Sequence, residues 1–157
     1  MKVVKSSVRD RRLEQADGAP AMEPGALRAD VHVIFTTPQA TRAALRAADA
    51  VMQSSGAGIH FLVPQVVPMG FPLGRPPVSV AFAERRAAGM ARECCRNAAV
   101  KVQIVLCGDR EQCIERTLGP DSLVMIGSRK HRWLAPEQKL ARLLRAGGHR
   151  VIHVLEP

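Results

Sequence analysis

The stretch VMIGSRK, residues 124–130, joins an apolar run to a cationic cluster through one glycine and one serine, and HRWL (131–134) continues it. An apolar run that stops at glycine and opens toward a helix reads as a strand leaving a buried sheet. Such a strand end holds phosphate on backbone N–H groups when glycine lets an anion approach. The competing reading is a turn followed by a solvated basic surface. The neighbouring segments decide between them.

Downstream, PEQKLARLLRAGG (136–148) reads as a helix, with Pro136 in its first turn, Glu137 beside it and Gly147 past its end. HRVIHVLE (149–156) is a strand. Upstream, SLVMIG (122–127) is the strand that contains the opening stretch. REQCIERTLG (110–119) is a short helix, capped by Asp109 and closed by Gly119-Pro120. VKVQIVLCG (100–108) is another strand. From about Ser79, VAFAERRAAGMARECCRN is helical: Val80, Ala83, Ala87, Met90 and Cys94 share a face, and Arg85, Arg86, Arg92 and Arg96 lie outside it. GIHFLVPQVV (58–67) is a strand. The Ala-rich stretch from Thr41 to Gly56 is a helix, and VHVIFTT (31–37), ended by Pro38-Gln39, is the first strand.

The order is βαβαβαβαβ. Strands alternating with helices predict an α/β fold: an open five-stranded parallel sheet with helices on both faces, a Rossmann-like three-layer sandwich. Ligands of such sheets sit outside the carboxyl ends of the strands. Thr36-Thr37, Pro64, Cys107-Gly108 and Gly127 fall there. Residues 1–29, rich in charge, Gly, Pro and Ala without a sustained apolar period, read as a flexible leader. Residues 30–157 form the domain.

At 157 residues, one such domain buries enough surface to fold without a metal or disulfide. The four cysteines (Cys94, Cys95, Cys107, Cys113) show no zinc-type spacing and read as reduced structural thiols of a cytoplasmic protein. No apolar run approaches the ~18 residues of a membrane span, and the charged N-terminus is no secretory signal. The net charge is +9. Residues 1–30 are nearly neutral, with six basic and five acidic groups, whereas 127–150 hold seven basic groups against Glu137. That field attracts nucleotides, nucleic acid, anionic lipid or an acidic partner. Tyrosine is absent and Trp133 is the single tryptophan, so a stacking surface for single-stranded nucleic acid is not expected.

VHVIFTTPQATRAALRAA, IHFLVPQVVP with its Pro-rich continuation, and LVMIGSRK with the basic helix and VIHVLEP together resemble the universal stress protein family over residues 31–156. The resemblance implies a five-stranded parallel sheet, homodimerisation through the last strand, a role in stress survival and, in nucleotide-binding members, ATP. Those members carry Gly, two residues, Gly, about nine residues, then Gly and Ser or Thr, with an Asp ending the first strand. Here Gly127 and Ser128 match the start. Lys130 stands at the second glycine, Leu140-Ala141 at the Gly-Ser pair, and Thr36 at the Asp. The expectation is an altered site in which Arg129 and Lys130 supply charge, with Thr36, Thr37 and Pro64 near a base or similar group.

LVPQVVPMGFPLGRPPVSV (62–80) places prolines at 64, 68, 72, 76 and 77 and excludes a regular helix after the second strand. The five histidines, His32, His60, His131, His149 and His153, lack metal-ligand spacing, and neither a GxSxG elbow nor a full P-loop is present. The expected function is therefore a non-catalytic stress-response domain that binds a nucleotide or another anion, without a metal. A nucleotide-hydrolysing or adenylate-forming enzyme of related fold is the alternative. A basic nucleic-acid-binding protein is a further one.

Overall fold

A computed structural model describes residues 2–7, 30–129 and 136–156. The domain begins with β2 (Val31–Ile34), which follows an edge strand, β1 (Lys2–Ser7). After β2 come α1 (Pro38–Ser55), β3 (Ile59–Val66), α2 (Val80–Cys94), β4 (Val100–Cys107), α3 (Arg110–Thr117), β5 (Leu123–Ser128), α4 (Pro136–Ala146) and β6 (Arg150–Leu155). The sheet order is β1-β4-β3-β2-β5-β6. The run β4-β3-β2-β5-β6 is parallel throughout, which is the expected five-stranded sheet.

Two local readings change. α1 starts at Pro38 rather than Thr41, because Thr37 is its N-cap, accepting from Ala40 N–H at 3.4 Å, and proline suits the first helical position. The helix ends at Gly56 in a left-handed conformation, φ 65°. The second change lies within the segment read as a flexible leader. Lys2–Ser7 is a strand, antiparallel to β4, with Lys2 opposite Leu106 and Ser7 opposite Lys101. Six residues are too few to show a period, and what orders them is an unpaired sheet edge about a hundred residues away.

Side chains alternate across the sheet. Val31, Val33, Ile59, Phe61, Val102 and Met125 meet α1 and α2 on one face. Ile34, Leu62, Val105, Val124 and Ile126 meet α3 and α4 on the other. This alternation buries both faces, as a parallel sheet requires. Buried Asp49 on α1 fastens the turn after α2, accepting from the N–H groups of Arg96 (3.1 Å), Asn97 (3.0 Å) and Ala98 (2.8 Å) and from Asn97 Nδ2 (3.0 Å). Burial raises its pKa, but these donors outweigh it and hold the carboxyl below its ordinary value.

The Pro-rich segment after β3 forms two successive turns, Phe71 N–H to Pro68 O (3.1 Å) and Arg75 N–H to Pro72 O (2.9 Å). Val67 is buried beneath it, while Met69 and Phe71 face outward. Ile152 and Leu155 of β6 are also exposed.

Candidate functional site at the carboxyl ends of the strands

The chain order reverses between β2 and β5, so the switch-point crevice lies where these two strands end. Thr36 Oγ1 donates to Gly127 O at 2.9 Å, and Thr36 N–H donates to Thr41 Oγ1 at 3.0 Å. Thr37 caps α1. A Cβ at Gly127 would lie 1.9 Å from Ala40 O and 2.3 Å from its carbonyl carbon. Glycine is required here because the first turn of α1 lies on the β5 backbone. Ser128 is buried, and its carbonyl accepts from Glu156 N–H at 2.9 Å. Arg129 Nε pairs with Glu156 Oε2 at 3.7 Å. Lys130 lies outside the described residues.

Thr36, Thr37, Gly127 and Ser128 thus lie at the adjoining ends of β2, α1 and β5. Their visible contacts tie β2, β5 and α1 to one another. Pro64 stands apart from them, inside β3 and on the opposite flank of β2.

That flank is open. Phe35, Val63, Pro64, Gln65, Phe82 and Met90 line a mainly apolar cavity of about 180 Å³ between β3, α2 and the end of the Pro-rich segment. Gln65 Nε2 donates to Val78 O at 2.6 Å, while its buried Oε1 meets no donor among the described residues. Arg86 borders the cavity, with its guanidinium 5.8 Å from the centroid of the Phe82 ring. Arg110, the first residue of α3, reaches across and donates Nη2–H to Phe35 O at 2.8 Å. Burial lowers the pKa of this guanidinium, and Glu137 and Glu111 oppose the shift. Asp109 caps α3 as expected, accepting from Gln112 N–H at 2.8 Å.

A polar cleft of about 300 Å³ lies between the starts of α3 and α4, where Lys139 pairs with Glu111 at 3.2 Å. At the amino ends of the strands, His60 Nε2 sits 2.9 Å from Asp30 Oδ2, and the His32 and His60 rings are 5.0 Å apart. Among the described residues, no group of three or more His, Cys, Asp or Glu is arranged to hold a metal ion.

Phe35, Gln65, Arg86 and Arg110 escape sequence reasoning as site residues. Gln65 leaves the only trace, an amide inside an apolar strand. Arg86 is one of several arginines on its helix, and nothing local sets it apart.

No protein-family model and no curated protein matches the chain. Solved structures do. A universal stress protein crystallised in complex with cAMP superposes with a TM-score of 0.54 at 14% identity, covering 82% of this chain and 98% of that one. A universal stress protein family member from Burkholderia pseudomallei gives 0.50 at 20% identity, covering 83% and 98%. The chain therefore has the universal stress protein fold, with an antiparallel strand added at one edge of the parallel sheet.

Proposed function

We propose that the protein is a non-catalytic stress-response module that responds to a nucleotide held at the carboxyl ends of β2 and β3. One observation carries this reading: an apolar cavity whose wall combines Phe35, Val63, Pro64 and Met90 with the orphaned acceptor Gln65 Oε1 and the cation of Arg86. A flat base with an N–H donor matches such a wall, because a buried acceptor left without a donor costs about 1–3 kcal/mol. At about 180 Å³ the cavity is smaller than the roughly 300 Å³ of a whole-ligand pocket. The base enters, and the sugar and phosphate stay at the mouth beside Arg86.

This placement favours a ligand with one phosphate over ATP. The triphosphate grip of the nucleotide-binding pattern needs glycines that this sequence lacks, and the backbone at Gly127 is covered by Ala40. The cAMP complex of a protein with the same fold supports the same size class. The cavity wall offers one acceptor and one cation, a set suited to holding a ligand rather than turning it over. A homodimer through β6 fits the exposed Ile152 and Leu155 on that edge strand. A cytoplasmic site of action belongs to the same proposal; no described helix is long and apolar enough to cross a membrane.

Calorimetric titration with cAMP, AMP and Mg-ATP tests the reading. Micromolar affinity for a monophosphate is expected, weakened about tenfold (about 1.4 kcal/mol) by Arg86→Glu and by Gln65→Leu. Absence of heat with all three nucleotides overturns it. Release of nucleotide hydrolysis products would favour the enzyme alternative instead.

A further inference from the structure

Two thiols face each other across the turn that starts α3. Cys107 is the last residue of β4, and Cys113 lies one turn into α3. Both are buried, at 5% and 4% exposure, in the core layer beneath α3 and α4. Both border one open cavity of about 200 Å³, together with Leu73, Gly108, Asp109 and Arg116. Cys107 is hydrogen-bonded to the Cys113 thiol, and its Sγ also lies 3.8 Å from Gln65 O as a donor. Cys94 and Cys95 belong to the core on the other side of the sheet, where Cys95 Sγ donates to Leu45 O at 3.6 Å.

We propose that Cys107 and Cys113 form a two-thiol site for a trivalent arsenical, taken up by condensation. The organic arsenic oxide, R–As=O, meets both S–H groups. Two As–S bonds form, while both S–H bonds and the As=O bond break. The two protons leave with the oxygen as water. Arsenic stays trivalent, so no oxidant or reductant takes part, and the product is uncharged.

The surroundings select this chemistry over others. Burial first, and then the hydrogen bond with Cys113, push the Cys107 thiol up to about 12. Attack on a peroxide or a disulfide needs a thiolate, which this environment suppresses. A soft divalent cation must drive off the proton that burial holds on Cys107. Condensation consumes neutral thiols and leaves a neutral group in a poorly solvated place. The cavity is also large enough for a phenyl substituent, since about 150 Å³ accommodates benzene.

The bridge would span the segment that carries Arg110, whose guanidinium holds Phe35 O beside the nucleotide cavity. The site stands on its own, however, and does not depend on nucleotide binding.

Intact-mass analysis of the folded full chain with phenylarsine oxide provides the test. The expected gain equals one oxide less one water. Cys107→Ala and Cys113→Ala each abolish it, while the Cys94→Ala/Cys95→Ala double variant keeps it. Thermal melts by circular dichroism verify that each variant folds. Tryptic digestion of the wild-type adduct is decisive even if a variant does not fold, and should join the peptide that carries Cys107 to the one that carries Cys113, on either side of the cut after Arg110. No adduct on the folded wild type, an adduct retained by either single variant, or a bridge mapped to Cys94 and Cys95 overturns the proposal.

Discussion

The two flanks of β2 end differently. Toward β5, the first turn of α1 lies so close to Gly127 that a methyl group does not fit. Toward β3, α2 stands off and leaves a cavity of about 180 Å³. Both flanks belong to one sheet, at one end, with glycine-free helix starts capped by Thr37 and Ser79. The contrast shows that position in a fold nominates a ligand site without filling it. On the β5 side the backbone at Gly127 lies against Ala40, and an open cavity lies one strand away.

The most severe way to break this contrast is to force α1 off β5 at Gly127. Gly127→Ala puts a Cβ against the Ala40 carbonyl, backbone against backbone, so the strain has no flexible side chain to relax into. A loss of about 3 kcal/mol or more is expected, read as a melting temperature lower by roughly 10 °C. An unchanged melting temperature would mean that α1 does not rest on β5. Next in size is Asp49→Ala, which frees the turn after α2 from α1. Buried donors lose a charged acceptor, and about 2 kcal/mol should go in urea unfolding.

Filling the open flank should have the opposite character. Ala83 borders the cavity and is partly buried. Ala83→Leu is expected to stay within about 1 kcal/mol of the parent stability while abolishing nucleotide heat. Retained heat would place the ligand elsewhere.

The amino end of the sheet supplies a control that touches neither flank. Burial, then the neighbouring His60 charge, lower His32 to about 4, against the attraction of Asp30. A histidine that stays neutral when folded but protonates when unfolded favours the native state above its ordinary value near 6.5. That stability falls as pH drops from 6.5 toward 4, because only the unfolded chain gains the proton in this window. His32→Phe should flatten the decline in melting temperature between pH 7 and 5 while leaving nucleotide affinity alone. His153, lowered by burial and then by Arg145, leaves a residual slope of the same sign. The smallest effect belongs to Arg129→Ala. Its pairing with Glu156 is long at 3.7 Å, and the arginine is half exposed, so the change should stay within about 0.5 kcal/mol.

Much of the architecture is legible in the sequence because each parallel strand is buried on both faces and each helix carries punctuation beside it. Gly56, Ser79 and Asp109 mark helix ends by local chemistry alone. β1 is illegible for the opposite reason: its partner is an edge contributed by a distant segment, and no nearby residue records that edge. The candidate site divides in the same way. Gly127 stands out as a glycine ending an apolar run, but the residue responsible for it is Ala40, which no spacing rule connects to it. The cavity depends on how far α2 stands from β3, a distance that no local pattern around Phe82, Val63 or Met90 records.

The central position of β2 also bears on how the chain is made. Thr36 and the carbonyl it bonds on β5 are 91 residues apart in sequence. At about 5–20 residues per second, a ribosome takes roughly 5–20 s to add that much chain. Throughout that interval the strand destined for the middle of the sheet is an open edge, with its ladder groups toward β5 unprotected. The early product is therefore exposed to strand pairing between neighbouring nascent chains. Slowing translation downstream of β4 should lengthen that exposure and lower soluble yield, while the mature protein shows no defect.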